Sequence, residues 1–204
     1  MIKKLLQNAR KPDGWFGGLM VKLMNKGHSS VSEWGLTHLN TNSDSTVLDI
    51  GCGGGANIKR LLQICPEGFV SGIDFSATSV SVSRKTNSAS LGKRCDIIQG
   101  SVSELPYDNE HFDVVTAFET VYFWPDLKND FSEVFRVLKN DGKFLICNEM
   151  CDPADTTWSD KIEGMILYDI DELVGILTGC GFTIEITDKK DNQWGCVVAQ
   201  KVLK

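Results

Sequence analysis

The chain has 204 residues, 42% of them hydrophobic and 24% charged, with a net charge of −6. That length suits one domain with a sizeable core, and the composition is that of an ordinary globular protein. The acidic balance, with no Lys/Arg cluster larger than a pair plus one, argues against a nucleic-acid backbone as the main partner, and no apolar run approaches the ~18 residues of a membrane span.

The first residues, Met1 to Leu6, are basic and apolar but lack a long apolar core and a small-residue cleavage site, so no signal peptide is expected. Residues 1–43 read as a helical cap or lid, distinct from a body over 44–204. Gly14 to Met20 lead into Val21, Leu23 and Met24, and Ser30-Val31-Ser32-Glu33 has the form of a capping box opening a helix that carries Val31, Trp34, Leu36 and Leu39. Trp15, Phe16, Met20, Met24 and Trp34 would make such a lid apolar and partly aromatic; the same spacing also serves plain packing. Asn40 to Ser45 is a polar linker.

Strands and helices then alternate. Thr46–Ile50 is the first strand and Ala56–Ile64 a helix. Phe69–Ile73 is a strand closing on Asp74, and Ser76 caps a helix over roughly 77–89. Strands follow at Arg94–Gln99 and Phe112–Phe118. Leu127–Leu138 is helical, with Phe131, Val134, Phe135 and Leu138 on one face. After an Asp141-Gly142 turn comes a strand at Lys143–Cys147, then a helical stretch around 159–179 with a cap at Asp169 or Asp171. Phe182–Thr187 and Trp194–Val202 are two strands joined by the turn Asp188–Asn192. The alternation predicts an α/β fold, a mostly parallel sheet with helices on both faces, and the final helix-free pair must form an antiparallel hairpin at its edge.

The first strand runs into Val47-Leu48-Asp49-Ile50-Gly51-Cys52-Gly53-Gly54-Gly55, a buried strand opening through a glycine loop into a helix. Glycines let a ligand approach the backbone closely. Gly51-x-Gly53-x-x-Ala56 fits a dinucleotide fingerprint, which would bring a pyrophosphate to the helix N-terminus. Asp49 beside the loop is awkward for a pyrophosphate. It suits the ammonium and sulfonium of S-adenosylmethionine, unless it only caps the turn. No P-loop motif occurs. In such sheets ligands sit beyond the C-terminal strand ends. There Asp74 can accept from both ribose hydroxyls, and Phe75 can pack on the adenine or in the core. Ser101 and the Val102 amide fall near the adenine edge. Phe118-Glu119-Thr120-Val121-Tyr122-Phe123-Trp124 forms an aromatic loop with one acid, floor to the cofactor or plug under the N-terminal helices. Cysteines 52, 65, 95, 147, 151, 180 and 196 show no C-x-x-C and no framework spacing. They read as reduced thiols of a cytoplasmic protein, and no metal site is expected.

Taken together, the loop from Val47 to Gly55, Gly72-Ile73-Asp74-Phe75-Ser76, Gln99 to Pro106, Phe112-Asp113-Val114-Val115 and Glu133 to Lys143 resemble the class I S-adenosylmethionine-dependent methyltransferases over roughly residues 44–150. The nearest branch is the ubiquinone/menaquinone-type (type 11) small-molecule group. The resemblance implies a Rossmann-like three-layer sandwich with a seven-stranded sheet whose last strand is antiparallel. It implies S-adenosylmethionine as cofactor, with Asp49, Gly51, Cys52, Gly53, Gly55, Asp74, Phe75, Ser76, Ser101, Val102 and Phe118 around it. The family usually has Asp where this chain has Ser101, and often a His in the loop after the fourth strand, where this chain has Glu119 and Tyr122. In-line methyl transfer to a small, partly apolar acceptor follows, with Glu119, Tyr122 and His28 as candidates to handle the acceptor's proton. A cofactor-binding protein without transferase activity, or a nicotinamide-dependent oxidoreductase, are the competing readings. Oligomeric state is open.

Overall fold

A computed structural model of the chain describes residues 10, 12–190 and 194–202. The helical reading of residues 1–9, the side chains of Trp15 and Phe16 and the end of the 188–192 turn lie outside the described residues. Seven strands form one sheet: β1 (Thr46–Ile50), β2 (Phe69–Asp74), β3 (Cys95–Gln99), β4 (Phe112–Phe118), β5 (Leu138–Asn148), β6 (Phe182–Lys190) and β7 (Trp194–Lys201), in the order β3-β2-β1-β4-β5-β7-β6. β1 to β5 pair in parallel, and β7 runs antiparallel between β5 and β6. This is the expected Rossmann-like sheet with its antiparallel hairpin.

The central strands are buried on both faces, which is why β1 and β4 read as nearly continuous apolar runs rather than alternating ones. On one face α5 (Leu127–Val137) and α6 (Ile170–Gly179) cover Leu48, Val115, Phe144 and Ile146 with Phe131, Val134 and Leu173. On the other, α3 (Ala56–Ile64) and α4 (Ala77–Thr86) pack Ile58, Leu61 and Val80 on Val47, Val70 and Val114. Burying each such side chain is worth about 1.5–3 kcal/mol. α1 (Gly14–Gly27) and α2 (Ser29–Leu36) complete that second layer: α1 lies against α4, and Val31 of α2 joins Phe118, Leu145 and Cys147.

Helix starts follow capping chemistry. The Ser76 hydroxyl oxygen accepts from the Ser79 amide at 3.2 Å, and Asp126 accepts from the Lys128 and Asn129 amides. Asp169 and Glu172 form a reciprocal capping box.

Three expectations are revised. The helix expected over 159–179 begins only at Ile170, because the Asp169–Glu172 box sets its start and Gly164 upstream has φ +73°, a left-handed turn. Ile162, Met165 and Leu167 instead pack on Tyr122. The Ser30–Glu33 capping box does not form. α2 follows α1 after a single residue, His28, which ends one helix and begins the other, and the Ser29 hydroxyl donates to Glu33 Oε1 at 2.9 Å within the helix. β5 already begins at Leu138, paired with Phe112, and the pairing shifts register before Lys143.

Candidate functional site

β1 and β4 are neighbours, with β2 and β3 beyond one and β5 beyond the other. Strand order reverses between them, and the crevice outside such a switch point is where open α/β sheets take ligands. The loops leaving the two strands touch there. A Cβ on Gly51, whose φ is +69°, would overlap the Thr120 side chain, so the close approach of the loops requires glycine. A cleft opens above them, walled by the 51–54 loop, Asp74 and Phe75 on one side, by Phe118, Glu119, Thr120 and Phe123 on the other, and roofed by Val21, Met24, His28 and Ser32.

In the β1–β2 half, Asp74 is 7% exposed. Its Oδ2 accepts from the Gly53 amide at 2.9 Å and its Oδ1 from the Ser76 amide at 2.8 Å. Burial raises its carboxyl, and those two amides pull it back. A Cβ on Gly53 (φ +51°) would meet almost nothing, because that side is the open cleft. Cys52 lines the cleft as a neutral thiol, raised well above its ordinary value by burial. Phe75 is 40% exposed at the rim.

Asp49 is not on the cleft wall. It is buried beneath the loop, where the Thr116 hydroxyl donates to Oδ1 at 2.8 Å, and burial pushes its carboxyl up to about 7 against that hydrogen bond. Gly55 stands at the N-cap of α3 in the left-handed region. Ser76 is buried, its hydroxyl donating to the Pro12 carbonyl at 2.6 Å, which ties the N-terminal segment to the strand end. Ser101 is exposed and accepts from the Ser103 amide, and Val102 packs in the core. Neither lines the cleft.

In the β4–β5 half, Glu119 has a left-handed backbone (φ 56°), costly for a residue with a Cβ by roughly 1–3 kcal/mol. Its amide donates to the Cys147 carbonyl at 3.0 Å, and the Glu149 amide donates to its Oε1. The Tyr122 hydroxyl donates to its Oε2 at 2.5 Å. Burial pushes the Glu119 carboxyl up to about 8, lowered by Tyr122 and raised by the Glu149 charge. Tyr122 is buried behind Glu119, its hydroxyl pushed well above the ordinary range by burial and by the Glu119 charge. His28 lines the cleft, and burial lowers its imidazole against the opposing pull of Glu149.

The cleft also contains residues that the sequence did not single out: Arg10, Asn57, Arg60 and Ser79; Thr120 and Phe123, from the aromatic loop after β4, line it as well. Asn57 and Arg60 share one face of the helix that opens from the glycine loop, a spacing that could have marked them. Glu149 follows β5 at its C-terminal end, the position from which ligand contacts come. Arg60 donates to Glu33 Oε1 at 3.0 Å and to the Ser29 hydroxyl oxygen, bridging α3 to α2.

A glycine cradle at the switch point, with a carboxylate at the end of the second strand and a reversed seventh strand, defines a nucleoside-binding α/β protein of the methyltransferase type. Residues 48–146 match the family described as Methyltransferase domain. Demethylmenaquinone methyltransferase from Listeria monocytogenes serotype 4a (strain HCC23) is 31% identical over 125 residues, 61% of this chain and 52% of that protein. The chain thus spans about half the length of the curated relatives it matches. A SAM-dependent methyltransferase from Aquifex aeolicus superposes with a TM-score of 0.77 at 18% identity, over 91% of this chain and 98% of that one. Geranyl diphosphate C-methyltransferase from Streptomyces coelicolor A3(2), solved with Mg2+, geranyl-S-thiolodiphosphate and S-adenosyl-L-homocysteine, gives 0.74 at 15% identity over 85% and 76%. Residues 48–146 form a domain of the class I S-adenosylmethionine-dependent methyltransferases, in their type 11 branch. The cleft residues fit S-adenosylmethionine, the cofactor the resemblance implies: a Cβ-free loop beside a buried carboxylate at the nucleoside end, with cations at Arg10 and Arg60. Among the described residues no helix is long and apolar enough to cross a membrane.

Proposed function

We propose that the chain transfers the methyl group of S-adenosylmethionine to a small, partly apolar acceptor by in-line displacement. The observation that carries this reading is Asp74, a buried carboxylate facing the cleft at the end of β2 and braced by the Gly53 and Ser76 amides. It would accept from the ribose hydroxyls, each charge-assisted bond being worth about 1.5–3 kcal/mol. The loop 51–55 would cradle the methionine portion, Arg60 and Arg10 would face its carboxylate, and Phe75 would cover the adenine. The negative field of Asp49 beneath the loop would favour the ammonium and sulfonium above it.

When bound, the cofactor supplies a methyl group already activated by the positive sulfur. The protein's share is alignment and exclusion of water, an effect of up to ~7–11 kcal/mol. Val21, Met24, Phe118 and Phe123 would provide the apolar walls for the acceptor, with α1 and α2 as the cap over it. Glu119, Tyr122 and His28 form the polar end, where the acceptor's reacting atom and its proton would be handled. A quinol-like ring is the first acceptor to try, since relatives are demethylmenaquinone methyltransferases. A reducing compartment such as the cytoplasm suits the seven cysteines, all of them unbridged.

Calorimetry with S-adenosylmethionine, S-adenosylhomocysteine and NAD tests the cofactor, and turnover of a labelled methyl group against a panel of quinols, phenols and amines tests the transfer. Binding of NAD in place of S-adenosylhomocysteine overturns the proposal. Tight cofactor binding with no turnover across the panel would leave a binding protein without transferase activity.

A further inference from the structure

Three side chains from distant stretches meet at the acceptor end of the cleft: His28 between α1 and α2, Glu119 at the end of β4, and Glu149 just beyond β5. One ligand atom of each lies within 4.8 Å of the others. His28 Nε2 and Glu149 Oε2 are 3.9 Å apart, too far for a hydrogen bond. Two donors bound to one cation at about 2.1 Å each stand roughly 3–4.2 Å apart, depending on the angle between them. The spacing is that of atoms sharing an ion rather than a proton.

Glu119 adds an independent sign. It is 8% exposed, and its hydrogen-bond donors, the Tyr122 hydroxyl and the Glu149 amide, are both neutral. Among the described residues no Lys or Arg forms an ion pair with it. Buried carboxylates are ordinarily neutralised, matched by a cation or used to coordinate a metal. A carboxylate oxygen that accepts one hydrogen bond keeps a second lone pair. A second acid, Glu149, stands beside it, so two carboxyl groups share this end of the cleft and His28 is the one basic side chain grouped with them.

We infer that His28, Glu119 and Glu149 form a divalent-metal site of one imidazole and two carboxylates whose open positions face the cleft. One nitrogen and two oxygens suit a first-row ion such as Mn2+ or Zn2+. No separation exceeds 4.8 Å, so at most about 0.6 Å of closure is needed for bonds of that length. His28 and Glu149, with side chains 31% and 36% exposed, have the freedom to do so, while Glu119 is held in place. Only the ion's purpose rests on the methyl-transfer reading: an acceptor oxygen would complete the coordination, and the ion would orient it and make its proton easier to lose to water. The three side chains would then act as ligands rather than as bases.

The test uses the full chain, stripped with a chelator and titrated with Mn2+ under electron paramagnetic resonance, with Zn2+ followed by calorimetry. One saturable ion per chain is expected. Glu149→Gln and His28→Asn should each weaken it about 10-fold or more. Glu185→Gln, outside the cleft, should leave it unchanged. Glu119→Gln should abolish it; because that residue is buried, its fold is checked by circular dichroism, and the two partly exposed variants decide the outcome if it fails. No saturable binding of either ion up to millimolar concentration, or binding that survives both Glu149→Gln and His28→Asn, overturns the site. S-adenosylhomocysteine affinity is measured on the same samples. Normal affinity without metal binding removes the metal site alone, whereas metal binding without S-adenosylhomocysteine affinity removes the cofactor reading alone.

Discussion

The Tyr122 hydroxyl donates to Glu119 Oε2 at 2.5 Å, three residues along the same loop, while the Glu149 amide holds the other oxygen of that carboxylate. The bracing comes from a buried phenol that itself packs on Ile162, Met165 and Leu167, so the 159–169 segment supports the Glu119 end of the cleft from behind. A strained left-handed residue is thereby held in one orientation at the rim of the switch-point crevice.

If Glu119 faces the acceptor, Glu119→Gln keeps its shape and removes its capacity to ionise and to exchange a proton. Turnover of whichever acceptor the panel yields should fall about 100-fold or more at saturating cofactor, the usual size of such a contribution. S-adenosylhomocysteine affinity should stay within roughly 3-fold, because in the proposal the nucleoside sits at the β1–β2 side. Tyr122→Phe, which removes one brace and leaves the carboxylate, should fall between Glu119→Gln and the parent. Single-turnover rates and calorimetry separate the two effects. Equal loss of cofactor binding in Glu119→Gln would place this residue in the cofactor's seat instead.

Asp74 has the opposite signature. It bonds to the Gly53 and Ser76 amides, and in the proposal it also receives the ribose. Asp74→Ala should weaken S-adenosylhomocysteine about 10-fold or more, since at least one charge-assisted bond is lost. Asp74→Asn, which keeps one acceptor oxygen, should be milder. Calorimetric titration of both variants reads the result, and unchanged affinity would remove Asp74 from the ribose.

Much of this was legible in the chain because it is local. The Gly51–Gly55 loop, the strand ending at Asp74 and the Ser76 cap each declare themselves within a few residues, and the strand periods and the missing last helix announce the sheet and its hairpin. What stayed hidden depends on the tertiary arrangement. His28, Glu119 and Glu149 have no sequence spacing that would link them, and they meet only because the α1–α2 junction comes to lie over the ends of β4 and β5. The apolar residues at 162, 165 and 167 mimic a helical stripe, yet they serve to wedge a non-helical segment against Tyr122. Asp49 reads as a ligand-facing acid from its place before the loop, and the pleat turns it beneath the cleft toward Thr116.

The position of Asp49 gives stability a pH dependence. Its carboxyl is pushed from an ordinary 3.8 up to about 7 by burial. Between those values the folded chain holds a proton that the unfolded chain has released, so this group's contribution is complete below about 3.8 and is lost as pH rises through about 7. Asp49→Asn keeps an acceptor for the Thr116 hydroxyl and cannot ionise. The urea midpoint of the parent should therefore drop more between pH 5 and pH 8 than that of the variant. Parallel lines for the two proteins would mean that Asp49 ionises as readily in the fold as outside it.

Gly35 sets two effects against each other. Inside α2, replacing Gly with Ala should favour the helix by up to about 1 kcal/mol. An added Cβ there, however, would stand 2.6 Å from Cys147 Sγ and 2.9 Å from the Phe118 ring. Both are buried, one in β5 and the other at the end of β4, so neither can swing away as a surface side chain would. Overpacking of this kind typically costs 1–3 kcal/mol, which outweighs the propensity gain. Gly35→Ala should lower the urea midpoint, and because Phe118 also lines the cleft, S-adenosylhomocysteine affinity should fall with it. Gly175→Ala is the matched control: it lies within α6, where a Cβ would meet nothing within 4 Å, so only propensity acts and the midpoint should rise. If both variants were stabilised equally, α2 would not be seated on the sheet as closely as these contacts require.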